Sequence, residues 1–311
     1  MSLPTTPQKP TSVQPGGGLC MAIELAWARC RKFFTRRLFP GYVQAMQAKR
    51  QGECHNCTHD ILDARDLKYT RNVCGYWFRP EDDAYAYRSR LGFARHGLAE
   101  LILFSLAYIA LGIACVLAAL EVHWLFWIPF AALTLVELEI LFFFRDPDRV
   151  IPPEPDALVS PADGVVTNVL RISIFLSIFN VHVNRAPFDA EVTGVRYFPG
   201  AFLDARNPDS AVRNEQLWMD LVLPSPPTLL PEGEGRKVWP MRVKQISGAI
   251  ARRIVCWLKA GDKLTKGERI GMIKFGSRTD VLIPTELVRE IVVKPGDTVQ
   301  GGASVLLKLR V

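Results

Sequence analysis

The chain has 311 residues, enough for about two domains of ordinary size. With 49% hydrophobic and 22% charged residues it is too apolar for a disordered tail protein, and a mean hydropathy of +0.11 is high for a chain that meets only water. The net charge of +7 invites a nucleic-acid reading, but residues 1–96 carry 15 Lys and Arg against 8 Asp and Glu, whereas residues 97–311 carry 23 of each. The excess belongs to the first third, so no nucleic-acid partner is expected. Seven dispersed cysteines, with no secretory signal evident, do not read as a disulfide framework and point to a reducing compartment.

Residues 1–20, with Pro4, Pro7, Pro10, Pro15 and the run Gly16 to Gly18, cannot offset their ordering entropy by burial and read as a mobile tail. Residues 21–96 read as an α-rich basic extension. Within it Met21 to Met46 is predicted as one helix, with Arg29, Arg31, Lys32, Arg36 and Arg37 beside Trp27, Phe33 and Phe34. That pattern fits a membrane-surface helix or the solvated face of a small helical subdomain, with an organellar targeting peptide as a third option. Cys54 and Cys57 form a CxxC with His55, His59 and Cys74 nearby. These types suit zinc, but a zinc signature needs a second close pair and Cys74 stands alone, so no metal is assigned.

Leu101 to Leu120 holds no charged residue, and at about 1.5 Å rise per residue it matches the hydrocarbon thickness of a bilayer. Trp124 to Phe144 is of similar length but carries Glu137 and Glu139, costly in lipid unless paired or near the interface. Residues 97–144 therefore read as a membrane helical hairpin, with a buried hairpin of a soluble protein as the alternative. Arg88, Arg90 and Arg95 precede it and Arg145 and Arg149 follow, which places both ends on the cytoplasmic side.

From residue 145 to 311 the texture changes to short β-rich runs punctuated by Gly and Pro, such as Val165 to Val169, Ile172 to Phe175 and Val288 to Val293. The expected fold is a mainly β domain, barrel- or sandwich-like, preceded by the hydrophobic helical hairpin and the basic extension. It contains an echo: Lys259, Gly261, Asp262, Leu264, Gly267 and Ile270 recur 35 positions later as Lys294, Gly296, Asp297, Val299, Gly302 and Val305. Gly followed by Asp at the same place in both copies is a turn signal, so two related hairpins are predicted. Lipoyl and biotinyl carrier domains also pair hairpins, but neither copy here presents the exposed tip lysine that attachment needs.

His182 is the single histidine of this region and thus its one side chain with an unperturbed pKa suited to proton transfer near neutrality. A hydrogen-bonded core histidine is the alternative. Asp163 lies in a Pro- and Gly-bounded turn (SPADG, 160–164), and Ser277 follows Gly276 (KFGSRTD, 274–280). An acid, a base and a nucleophile from separate segments can make a catalytic set, although by composition alone any domain has such residues.

Five segments in order carry a resemblance: FFRDPDR (143–149), SPADG, ISIFLSIFNVHVNRAP (172–187), VKQISGAIARR (243–253) and GMIKFGSRTD (271–280). From about residue 140 onward the chain resembles the phosphatidylserine decarboxylase proenzymes, most of all their shorter bacterial branch. The resemblance implies self-cleavage between Gly276 and Ser277 and a pyruvoyl group derived from Ser277. The products would be a large chain 1–276 and a small chain 277–311. It implies that the pyruvoyl carbonyl takes the amine of phosphatidylserine and the electrons released with CO2, leaving phosphatidylethanolamine.

It further implies that His182 is base in maturation and acid in turnover, and that Asp163 is the acid of a maturation triad. Arg185, Arg252 and Arg253 become candidates for the lipid phosphate, because guanidinium forks match its oxygens. The expected location is the cell membrane with the catalytic domain on the cytoplasmic face, the mitochondrial inner membrane being the alternative, and a homo-oligomer is compatible with it. Two features depart from the pattern: Asn180 stands where relatives often carry Asp, and the connection from Val169 to Ile172 is short, which bears on the pocket rim. Two other readings stay open, a decarboxylase of an ether-linked archaetidylserine and a family member that binds anionic lipid heads without cleaving itself.

Overall fold

The computed structural model describes residues 18–52, 61–62, 76–224, 239–249, 253–274 and 276–310, with backbone alone for 18–25 and Pro80. Residues 1–17 of the expected tail, the Cys54, Cys57, Cys74, His55 and His59 group, and Arg252 lie outside the described residues.

The single helix expected from Met21 to Met46 is two, α1 (Gly18–Leu38) and α2 (Pro40–Lys49). Pro40 has no N–H for the turn before it and disfavours helical geometry at Phe39, which sits at φ −132° and ψ 59°. Trp27, Phe33 and Phe34 are exposed on α1. On α2, Met46 packs against Tyr76 and Phe78, Tyr76 belonging to β2 (Tyr76–Trp77), which pairs with β1 (Gln51–Gly52).

The hydrophobic runs form α3 (Leu98–Glu121) and α4 (Trp127–Phe143), both part of helical stretches long and apolar enough to cross a membrane. Their outer faces present Ile102, Leu106, Leu117, Leu135 and Leu138. The seam between them is polar: Ser105 Oγ donates to Glu137 Oε1 at 2.6 Å, and Tyr108 OH lies 3.1 Å from Thr134 Oγ1. Glu137 is thus buried against the partner helix, the arrangement in which a carboxyl is tolerated in such a segment.

The β unit comprises β3 (Ala157–Val159), β4 (Gly164–Asn168), β5 (Ile172–Leu176), β6 (Val183–Arg185), β7 (Ala190–Phe198), β8 (Gln216–Leu223), β9 (Trp239–Ser247), β10 (Arg253–Cys256), β11 (Lys263–Leu264), β12 (Arg269–Lys274), β13 (Ser277–Leu282), β14 (Val288–Ile291), β15 (Thr298–Val299) and β16 (Val305–Leu309), with a short α5 (Ser210–Arg213) before β8. The pairings among these strands are antiparallel. One eight-stranded sheet has the order β11-β7-β8-β9-β13-β5-β4-β15, and two three-stranded sheets have the orders β10-β12-β6 and β14-β16-β3. One core joins them, with Leu158, Ile174, Leu217, Met219, Ile254, Ile273 and Leu306 fully buried. Side chains this well buried each contribute about 1.5–3 kcal/mol by leaving water, so the core holds the three sheets as one unit.

The repeated hairpins are present, and the correspondence extends to single hydrogen bonds. Lys259 N donates to Asp262 Oδ2 at 2.9 Å and Lys294 N to Asp297 Oδ2 at 3.0 Å. Gly261 and Gly296 have φ of 90° and 97°, and their N–H groups donate to Val192 O and Val166 O, each at 2.8 Å. β11 then pairs with β7 as β15 pairs with β4. Left-handed backbone at these four-residue turns is what glycine permits at no steric cost.

Candidate active site

Ser277 opens β13, the strand held between β5 and β9, with Leu176 opposite on one side and Ser247 on the other. Paired residues share a face, so Ser277 projects inward with Thr279, Gln245, Ser247 and Ile174 and is fully buried. Its hydroxyl has no hydrogen-bond partner among the described residues. A buried hydroxyl is ordinarily satisfied, so an orphan one asks for an explanation.

Gly276, immediately before it, has φ of 68°, a conformation that strains other residues. A Cβ there would meet nothing within 4 Å, so the glycine is required by the backbone turn and not by space. Gly248 is the opposite case: a Cβ on it would lie 2.5 Å from Gly276 O. The VKQISGAIARR segment therefore passes its backbone directly against the Gly276 carbonyl, a role for Gly248 that sequence reading missed and that a glycine after a strand end only hints at.

His182, between β5 and β6, is fully buried. Its Nε2 accepts from Gly276 N–H at 3.1 Å and its Nδ1 lies 2.8 Å from Asn180 O. A backbone amide can only donate and a backbone carbonyl only accept, so the proton sits on Nδ1 and the Nε2 lone pair faces the Gly276 backbone. Burial lowers its pKa to about 4, outweighing the Asn180 carbonyl, which raises it, with Arg145 lowering it further. The ring is therefore a neutral base at pH 7.

This burial makes folding acid-sensitive. The unfolded chain takes up the proton near pH 6.5 and the folded chain only near pH 4, so stability is complete above about 6.5 and falls as pH drops through that window, by about 3 kcal/mol. Denaturant midpoints at pH 7 and pH 4.5 test this, the drop being smaller in His182→Gln; an equal drop in both proteins would assign the acid lability to other groups.

The hairpin root builds one wall. The Phe143 ring is 4.4 Å from the His182 ring, and Phe143 and Phe144 pack with Val181, Val183, Val255 and Met272. Arg145 donates to Phe179 O at 3.0 Å, and Glu100 of α3 pairs with Lys274, two residues before Gly276.

Asn180 contributes its main chain: its Oδ1 accepts from Ser177 N and Ser177 Oγ, each at 2.8 Å, while its carbonyl orients the imidazole. The short connection after Val169 is a tight turn in which Asn168 Oδ1 accepts from Leu170 N and Arg171 N. It lies at the Ile172 end of β5, whereas Ser277 is opposite Leu176, about 13 Å along the strand, so it does not form the rim beside Ser277.

Asp163 is not a partner of His182. Its Oδ1 accepts from Gly301 N and its Oδ2 from Arg149, each at 2.7 Å. The first contact has a counterpart in the other repeat, where Asp189 Oδ1 accepts from Lys266 N at 2.7 Å, so it is part of the doubled architecture; the ion pair with Arg149 is particular to Asp163. Asp163→Asn should keep the Gly301 contact and lose the charge facing Arg149. We expect slower processing from it and none from Asp189→Asn at matched stability; equal rates in the two variants would assign Asp163 to the scaffold alone.

Arg185 is buried, bonded to Asp146 at 2.9 Å and to Gly267 O and Pro147 O, each at 3.1 Å, so contact with a lipid phosphate requires breaking that pair. Arg253 is buried at the start of β10, opposite Lys274. Burial chiefly raises the Glu215 pKa, while Tyr197, hydrogen-bonded to it, and Arg253 lower it. Glu215 N–H bonds Ala201 O and its carbonyl accepts from Ser247 N and Ser247 Oγ, which puts Glu215 beside Ser247, two strands from Ser277.

The profile of the phosphatidylserine decarboxylase family matches residues 138–173 and 167–307. The phosphatidylserine decarboxylase proenzyme of Rhodopirellula baltica is 39% identical over 253 residues, covering 78% of this chain and 98% of that protein. Those of Carboxydothermus hydrogenoformans and Gluconobacter oxydans are 41% and 42% identical over 215 and 185 residues, covering 65% and 54% of this chain and 92% and 76% of theirs. The chain belongs to the phosphatidylserine decarboxylase family. The family match contains every residue of the Gly276, Ser277, His182 and Asp163 set, and the R. baltica likeness is too long to fit within residues 138–311, so it extends upstream into the hairpin.

Proposed function

We propose that this chain is a self-processing phosphatidylserine decarboxylase, cut between Gly276 and Ser277 and carrying a pyruvoyl group at position 277. The observation that carries the reading is the buried, unpartnered Ser277 hydroxyl beside a left-handed Gly276 whose amide is held by a neutral imidazole. In the cleavage, Ser277 Oγ bonds to the Gly276 carbonyl carbon and its proton passes to His182 Nε2. The Gly276–Ser277 C–N bond breaks, and the freed nitrogen takes that proton, leaving an ester. Loss of the Ser277 Cα proton then breaks the Cβ–Oγ bond, releasing the Gly276 carboxylate; addition of water and departure of ammonia leave a ketone at position 277.

The surroundings fit such a group. Position 277 starts a strand paired on both sides, so the new terminus keeps its ladder through Arg278 to Phe175 and Ile246. β16 remains between β14 and β3, and β15 on β4, which ties a 277–311 fragment to the rest without a covalent bond. The pyruvoyl carbonyl supplies the electron sink for the pair released with CO2. His182 Nε2, neutral at pH 7, is placed to relay a proton from the head-group ammonium toward the carbon that has lost CO2.

The hairpin root supports a substrate with two acyl chains. Phe143 touches His182 and Glu100 pairs with Lys274, so an apolar hairpin in a bilayer would hold the site at the head-group level. Arginines at both outer ends favour the cytoplasmic face. Denaturing mass measurement tests the proposal: the purified chain should separate into 1–276 and 277–311, and an intact, inactive wild type would refute it.

A further inference from the structure

Two oxygens in the interior layer beneath the cleavage site lack a hydrogen-bond partner among the described residues: Ser277 Oγ and Gln245 Oε1. Both residues are fully buried. Gln245 stands opposite Thr279 and Ser247 opposite Ser277 in the same ladder, so Gln245 is the diagonal neighbour of Ser277 on their shared inner face. Diagonal neighbours lie within reach of a long side chain.

The Gln245 amide is held from its other end. Nε2 donates to Asn184 Oδ1 at 2.7 Å, and Asn184 Nδ2 donates to Thr279 Oγ1 at 3.2 Å and Pro161 O at 3.3 Å. Because the Asn184 amide nitrogen faces two acceptors, its oxygen is the one that meets Gln245, which leaves Gln245 Oε1 as a pure acceptor. β12 makes room for this head group with Gly271, where a Cβ would come 2.6 Å from Gln245 Nε2. A core that needed only filling would carry an apolar side chain here, since a buried acceptor without a donor is destabilising.

We propose that Gln245 is a positioning residue for self-cleavage: the two oxygens are not bonded to each other in the resting chain, and rotation of Ser277 about Cα–Cβ brings its hydroxyl to Gln245 Oε1, which turns an Oγ lone pair toward the Gly276 carbonyl carbon. The inference rests on the reading of Ser277 as the nucleophile. Gln245 neither gains nor loses a proton; the hydroxyl swings about the Cβ–Oγ bond as attack begins and delivers its proton to His182. Asn184 and Thr279 fix the amide so that its free oxygen keeps one direction.

The test follows cleavage of freshly translated full-length precursor on denaturing gels. Gln245→Met, of similar length but without an amide, should slow cleavage about 10- to 100-fold, the scale of a misdirected reacting atom. Thr279→Val disturbs the same network from the side remote from the hydroxyl; it should lower the melting temperature comparably and cleave near the wild-type rate. Gln245→Glu keeps an acceptor oxygen, and its cleavage should gain a pH dependence between about pH 5 and 8, where the wild type holds its rate, recovering as the introduced carboxyl ionises.

Wild-type cleavage by Gln245→Met, slowing of both network variants in proportion to lost stability, or a Gln245→Glu pH profile that overlays the wild type would each overturn the proposal. If Gln245→Met does not fold, Gln245→Glu and Thr279→Val carry the decision. A wild type that stays whole would instead remove the Ser277 reading on which the inference rests.

Discussion

Ser277→Ala should leave the chain whole at every time point and abolish decarboxylation. Alanine has no heteroatom to attack the Gly276 carbonyl and no leaving group on Cβ, so neither the ester nor the ketone at position 277 can form. The substitution is mild structurally, because the hydroxyl it removes has no partner and leaves nothing unsatisfied behind. Activity and melting behaviour should therefore separate, with activity lost and stability kept or slightly raised.

Ser277→Cys is the informative control. Its thiol can repeat the attack and leave by the same elimination, so slow cleavage should yield a small chain of the same mass as the wild type's, lighter by one ammonia than a 277–311 fragment that begins with unmodified serine. A carbonyl-trapping reagent should label the small chain alone. Decarboxylation by whole Ser277→Ala protein would refute the assignment.

His182→Gln should slow processing by about 10²- to 10⁴-fold, the usual worth of a positioned general base. Glutamine is preferred to alanine because the ring fills a buried site against Phe143, and a cavity there would cost about 2–4 kcal/mol and confuse folding with chemistry. The pH profile separates this histidine from an ordinary one. With its pKa lowered by burial to about 4, wild-type cleavage should hold its rate from pH 8 to about pH 5 and fail only below. A half-maximal rate near pH 6.5 would mean that a different group, or a solvated imidazole, takes the proton.

The β unit was well legible in the sequence because its signals are local. The 35-residue echo anticipates both hairpins, and their Gly-Asp turns agree down to the same backbone-to-carboxylate contact in each copy. The hairpin of apolar helices is legible for the same reason, length and hydropathy being properties of a continuous segment. The N-terminal helix is a partial exception, since its apolar and basic pattern runs through Pro40 without a break although the backbone divides there.

Partners drawn from distant segments were less legible. The family resemblance implied Asp163 as the acid of a maturation triad, yet the imidazole is oriented by the Asn180 carbonyl, and a main-chain atom leaves no trace in residue identity. Asp163 instead ties the 160–164 turn to Gly301, and its double, Asp189, explains why an aspartate after Pro-x recurs in the chain. Arg185 was read as a phosphate candidate; its buried pairing with Asp146 depends on β6 passing beside the FFRDPDR segment, 39 positions away in sequence.

The sequence by itself determined the class of this protein: a charge-poor helical hairpin, a mainly β unit with an internal repeat, and a Gly276–Ser277 bond inside five ordered motifs. These depend on composition, periodicity and spacing along the chain. Only the tertiary structure decided that the Ser277 hydroxyl is unpartnered, that Gly248 presses on the Gly276 carbonyl, that His182 is neutral, and that Phe143 of the hairpin touches it. The physical reason is that reactivity here comes from burial and exclusion. Whether a hydroxyl lacks a donor or acceptor, and whether an imidazole has lost its water, depends on all the segments packed around it.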